Sequence, residues 1–192
     1  MKSWKKSLAR LREGNKRFCN QVPPAEAGDL SLHQAQQKPF AAILCCADSR
    51  VAPEIIFHQG LGQLFVVRVA GNVVGPLQAG SLELAVDAFD VPLIVILGHT
   101  NCSAVKAAMH YSGDHHSATD EILSLIHANL ASNGVTDDED AALIANTTHA
   151  ADTLLAHSSV IREAYATGRV GLATATYNLA DGTVNFELRN HS

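Results

Sequence analysis

The sequence predicts an α/β fold: a mostly parallel central sheet flanked by helices, with an N-terminal helical arm and a C-terminal antiparallel edge strand. Three observations carry that prediction. Residues 40–45 and 91–97 are short apolar runs of the kind that form buried strands, and 64–69 is a β-branched run of strand type. Segments with helical spacing stand between and after them. The last two extended segments, 170–177 and 183–188, flank the turn Ala180-Asp181-Gly182, which reverses the chain.

Taken in order, Ser3 caps a helix running to about Asn20, with Trp4, Leu8, Leu11 and Phe18 mainly along one stripe. Pro23-Pro24 and Gly28 break the chain, and a short helix over 32–37 stops before Pro39. The strand at 40–45 follows, then the β-branched strand 64–69 between Gly62 and Gly71. Ser81 is expected to cap a helix carrying Leu82, Ala85, Val86 and Phe89. After the strand at 91–97, His99 and Cys102 are expected just past its end, and 104–110 continues as a helix. Residues 112–120 read as a polar loop. A helical region starts near Asp137, and Ala151, Leu154, Leu155, Ser158, Ile161 and Tyr165 form a stripe that ends before Gly168. No repeat or linker divides the chain, so residues 1–192 are expected to form a single domain.

Composition narrows the function classes. Apolar residues make up 47% and charged residues 17% of the 192, as in an ordinary globular domain. A formal charge of -5 argues against nucleic acid or an anionic membrane as principal partner. The apolar run at 91–97 is too short to span a bilayer, and the basic start is followed by no apolar segment of a signal peptide. A cytoplasmic location is expected. The four cysteines, at 19, 45, 46 and 102, fit reduced thiols, because adjacent Cys45 and Cys46 cannot readily serve two independent staples.

Two clusters carry chemistry. Cys46-Ala47-Asp48-Ser49-Arg50 follows the first strand, and His99-Thr100-Asn101-Cys102 follows the third. Both fall at carboxyl ends of parallel strands, where open α/β sheets place their sites. Two thiolates and one imidazole make three zinc ligands, and three protein ligands leave a fourth position for water or substrate. Cys45 is the rival first ligand. Neighbouring strand residues point to opposite faces, so one of the pair should reach the metal. Asp48 and Arg50 add a carboxylate and a fixed cation.

These residues, together with Phe57-His58-Gln59-Gly60-Leu61-Gly62, 64–72, 80–86, Gly98 to Cys102 and 177–182, resemble the β-class carbonic anhydrases over most of the chain. The resemblance implies one zinc ion per chain held by Cys46, His99 and Cys102, with water or hydroxide in the fourth position. The implied reaction is reversible hydration of carbon dioxide to bicarbonate and a proton. Asp48 would accept the hydroxide's hydrogen bond, and Arg50 would keep Asp48 ionised and off the metal. Gln59 matches a position that hydrogen-bonds a substrate oxygen, while Phe65 and Leu84 match walls of the apolar pocket. The family also implies a homodimer or tetramer, in which arms of about residues 1–38 dimerise and each pocket is completed at the dimer interface.

Some residues depart from the family pattern. Ser103 follows the second Cys ligand where Gly is common, Leu84 replaces a frequent Tyr, and Cys45 stands where Gly is frequent. Ile43 replaces the Trp that marks members whose Asp closes onto the metal. With Gln59 present, the open variety is expected although Arg68 is retained. Two other readings keep the scaffold: a hydrolase of carbon disulfide or carbonyl sulfide, and a non-catalytic zinc-binding homologue. His110, His115 and His116 read as solvated loop residues, and Asn146-Thr147-Thr148 matches a glycosylation acceptor that a cytoplasmic protein would not use.

Overall fold

A computed structural model describes residues 3–23, 37–113, 117–135 and 137–189. Five strands, β1 (Ala41–Cys45), β2 (Leu64–Arg68), β3 (Leu93–His99), β4 (Gly171–Tyr177) and β5 (Val184–Leu188), form one sheet in the order β2-β1-β3-β4-β5. The first four are mutually parallel where they pair, and β5 runs antiparallel to β4 at the edge. Among the described residues seven α-helices surround them: α1 (Ser3–Cys19), α2 (Pro53–Ile56), α3 (Pro76–Ala88), α4 (Ser103–Met109), α5 (Ala118–Ser132), α6 (Glu139–His157) and α7 (Ser159–Ala166). The expected α/β architecture and its edge strand are present. The short helix expected at 32–37 lies mainly outside the described residues.

Every residue of β1 and β3 is buried, as their unbroken apolar sequence requires. Alternation divides β1 between two layers. Ala42 and Leu44 pack with α3, α6 and α7, whereas Ala41, Ile43 and Cys45 pack with α1 and α2. The stripe of α1 closes the second layer: Trp4, Leu8 and Leu11 are buried there. Asn15 fastens the helix, its Nδ2 donating to Ile56 O (3.2 Å) and Gly182 O (2.8 Å) while Oδ1 accepts from Val184 N (2.9 Å). The stripe, which on an isolated arm would need a second protomer, is thus covered by the chain's own sheet.

Several boundaries differ from expectation, each for a local reason. The third helix begins at Pro76, not after Gly80. Proline at the first helical position costs no hydrogen bond, and the Gln78 side chain reaches back to Gly75 N (3.1 Å). Ser81 lies inside α3 and donates to Leu77 O at 2.8 Å. Helix α5 has no counterpart in the sequence reading; it opens at Ala118, within the expected loop, capped by Ser117 and Asp120. The stripe ending at Tyr165 is two helices. Ser158 leaves helical geometry (φ -115°, ψ 108°) and its Oγ accepts from Ile161 N at 3.0 Å, ending α6 and capping α7. Finally, β3 extends through His99, which is its last residue.

Helix α6 lies close against β3 at Gly98. A Cβ there would come within 2.5 Å of Thr147 Oγ1 and 2.7 Å of Leu143 Cδ1. Gly98→Ala should therefore push α6 off the sheet and lower stability by about 1–3 kcal/mol, as overpacking does. An unchanged urea midpoint would contradict this close approach.

Candidate metal centre

The ends of β1 and β3 lie side by side, with Cys45 opposite Leu97, so Cys46 emerges beside the Gly98–His99 end of β3. The adjacent cysteines part company there. Cys45 is wholly buried among α1 and α2 side chains, where burial pushes its thiol up to about 12. Cys46 enters a separate cluster with Cys102, Val105 and Ile126.

His99 is fully buried at the end of β3. Its Nδ1 lies 2.9 Å from Thr100 O, and a carbonyl can only accept, so this contact makes Nδ1 the protonated nitrogen. The lone pair is left on Nε2, which is buried and has no hydrogen-bond partner among the described residues. Cys102 precedes α4, with the amides of Val105 and Ala104 directed at its sulfur. One ligand atom each from Cys46, His99 and Cys102 lies within 4.8 Å of the others, and all three residues are buried. The two Sγ atoms are 3.9 Å apart. Tetrahedral zinc with Zn–S bonds near 2.3 Å separates two sulfurs by about 3.8 Å, so this donor set fits that ion. In the metal-free pair, the hydrogen bond from Cys102 pulls the Cys46 thiol down most strongly, and Cys102 is pushed up because it keeps the shared proton.

Asp48 lies beside the three donors and is held by Arg50. Its Oδ1 accepts from Arg50 N (2.9 Å) and Nε (3.0 Å), and Oδ2 accepts from Arg50 Nη2 (2.7 Å). Oδ2 is 3.9 Å from His99 Nε2. The Arg50 hydrogen bonds hold the Asp48 carboxyl well below the usual carboxylate range. From the end of β2, Arg68 clasps the same loop, donating to Asp48 O (2.6 Å) and Cys46 O (3.3 Å).

Residues 41–184 match the family model for carbonic anhydrase. The chain belongs to the β-carbonic anhydrase family. Carbonic anhydrase 2 of Mycobacterium tuberculosis is 41% identical over 189 residues, spanning 94% of this chain and 90% of the relative. The carbonic anhydrase of Mycolicibacterium smegmatis is 40% identical over 192 residues, with 94% and 91% spanned. Among solved structures, the Coccomyxa β-carbonic anhydrase in complex with acetazolamide shares the fold at a TM-score of 0.75 and 24% identity, covering 94% of this chain and 81% of that one. A tetrameric β-carbonic anhydrase of Sordaria macrospora does so at 0.70 and 22%, covering 95% of each.

In this member of the family the other candidate residues stand apart from the three donors. Gln59 is buried under α1, its Oε1 accepting from Arg10 Nε (3.1 Å) and its Nε2 donating to Phe57 O (2.6 Å). Phe65 packs in the α3 layer, its ring centroid 6.0 Å from that of Phe89. Leu84 lies on α3 and is 52% exposed. Ser103 is exposed in the first turn of α4, and Ile43 is core. His115 and His116 lie outside the described residues. The sequence reading did not single out Gly71, whose N–H donates to Cys46 Sγ at 3.4 Å. Its place just after the strand at 64–69 was its one visible signal.

Asp48 and Arg50 also give a pH prediction. The folded pKa of Asp48 lies below its unfolded value, near 4. The pair therefore stabilises the fold above that pH, and its contribution is lost as the pH falls toward the folded value. In zinc-free protein, the urea-midpoint gap between wild type and Arg50→Met should be fully present at pH 7 and should narrow below about pH 4. A gap independent of pH would contradict it. Among the described residues no helix is long and apolar enough to cross a membrane.

Proposed function

We propose that this chain is a zinc carbonic anhydrase that interconverts carbon dioxide and bicarbonate. The carrying observation is the buried His99 Nε2, without a hydrogen-bond partner among the described residues, beside two sulfurs 3.9 Å apart and a carboxylate engaged by arginine. Cys46 Sγ, His99 Nε2 and Cys102 Sγ are the residues that would hold one zinc ion. Zinc bound there would lower the pKa of a water molecule toward ~7 and so supply hydroxide near neutral pH.

The chain's own residues do the rest. Asp48, kept ionised by Arg50, can only accept a hydrogen bond. Accepting one from the nucleophilic oxygen turns a lone pair of that oxygen toward the carbon of carbon dioxide. Arg50, engaged with both Asp48 oxygens, keeps the carboxylate from swinging onto the metal. Gln59 spends its oxygen on Arg10 and one N–H on Phe57, leaving its second N–H for a substrate oxygen in the pocket that it would help complete across the dimer interface. Phe65 and Leu84 wall an apolar pocket completed by a second protomer. Leu77 and Leu84, 81% and 52% exposed and seven residues apart on α3, together with the open edge of β2, offer a surface for that protomer. A reducing, cytoplasmic compartment is part of this reading, and the free Cys19, Cys45, Cys46 and Cys102 support it.

Stopped-flow carbon dioxide hydration, with zinc content and sedimentation measured on the same sample, tests this reading. One zinc per chain, zinc-dependent hydration and a homo-oligomer are expected. Hydration that is absent, or indifferent to zinc, overturns it.

A further inference from the structure

Asn146 opens the Asn-Thr-Thr acceptor sequence, yet it is buried within α6 and its amide is engaged. Nδ2 donates to Gly71 O at 2.8 Å, a buried bond between residues 75 apart. Gly71 in turn donates its N–H to Cys46 Sγ at 3.4 Å. No other residue fits at this position. Its φ is +65°, a left-handed conformation that favours glycine, and an added Cβ would lie 2.5 Å from Ile126 Cδ1 of α5. A continuous line of contacts thus runs from α6 through one backbone residue to a metal-ligand sulfur.

We propose that Asn146 is a positioning residue for the metal centre: by fixing Gly71, it keeps the Gly71 N–H donating to Cys46 Sγ and so makes the bound metal a stronger Lewis acid. A hydrogen bond to a thiolate stabilises its lone pairs and reduces the charge it gives the metal. Two thiolate ligands donate more than neutral imidazoles, so a donor aimed at one of them offsets part of that excess. Without the Asn146 amide, the backbone at Gly71 loses its anchor on α6 and the N–H drifts from the sulfur. The inference rests on the reading of Cys46 as a metal ligand.

Cobalt(II) substitution reads the effect directly, because the thiolate-to-cobalt charge-transfer band reports the energy of the sulfur lone pair. Asn146→Ser should move that band to lower energy. In the zinc enzyme it should raise the midpoint of the kcat–pH profile and lower kcat at pH 7 by about 10-fold. A lowered Tm with the band and the pH midpoint unmoved would show that Asn146 only supports the fold, and would overturn the proposal. Absence of any thiolate band, in wild type and variant alike, would instead sink the metal assignment itself. A measurement on the wild type decides even where the variant fails to fold. In cadmium-113-substituted protein, scalar coupling between the metal and the Gly71 amide proton is required across the N–H···S bond. Its absence overturns the proposal.

Discussion

Asp48→Ala should keep zinc bound at one ion per chain and lower kcat/KM for carbon dioxide hydration by about 10²-fold or more. The two outcomes separate because Asp48 touches the nucleophile's neighbourhood without being one of the three donors: Oδ2 stands 3.9 Å from His99 Nε2. The fold should lose only what the Asp48–Arg50 pair contributes. The partner left behind, Arg50, is more than half exposed and can be satisfied by water. Metal analysis together with stopped-flow kinetics checks both halves. Full activity would remove Asp48 from the mechanism, and loss of zinc would make it a ligand.

His99→Ala has a different signature, with zinc content falling to near zero and hydration to background. Two thiols remain, but a binding site that spans two strands of the sheet loses its central donor. The thermal consequence should follow the metal. A chelator should lower the Tm of the wild type, because a metal that binds only the folded state stabilises it by mass action, and should leave His99→Ala unmoved. Cys45→Ala is the companion experiment. It should retain zinc, since its sulfur packs into the opposite layer with α1 and α2. A variant lacking Cys45 that cannot bind zinc would reverse the assignment of the two adjacent cysteines.

The strands were legible because burial on both faces leaves an unbroken apolar run, and β1 and β3 are buried throughout. Helix α5 was not. Its apolar residues are diluted by Asp120, Glu121, Ser124, His127 and Asn129, and Leu125 faces solvent. Its capping serine also stands in a polar stretch that reads as loop. The start of α3 was missed because a glycine cap carries no side-chain signal, and the groups that identify it are Pro76 and the returning Gln78. Ser158 fits the apolar stripe by spacing, yet its hydroxyl is what separates α6 from α7. Within the site, His99 and Cys102 are visible as a local pair and Cys46 by its neighbours Asp48 and Arg50. The connection of Gly71 and Asn146 to the site was beyond sequence reasoning. Their links are a backbone N–H to a sulfur 25 residues away and an amide to a carbonyl 75 away, and neither leaves a pattern of residue types.

The two-layered burial of β1 has a consequence for assembly errors. A slip of one residue turns every side chain of a strand to the other face, and β1 is apolar on both, so hydrophobicity barely penalises the mistake. A slipped strand would carry Cys45 to the place of Cys46 and still offer a thiol to His99 and Cys102. What it would lose is the clasp: Arg68 on the carbonyls of Cys46 and Asp48, and the Asp48 carboxylate beside His99. Such a chain would take up its full complement of metal and remain inert. Metal stoichiometry alone would therefore pass misassembled molecules as sound, and activity per bound ion is the measure that tells the two populations apart.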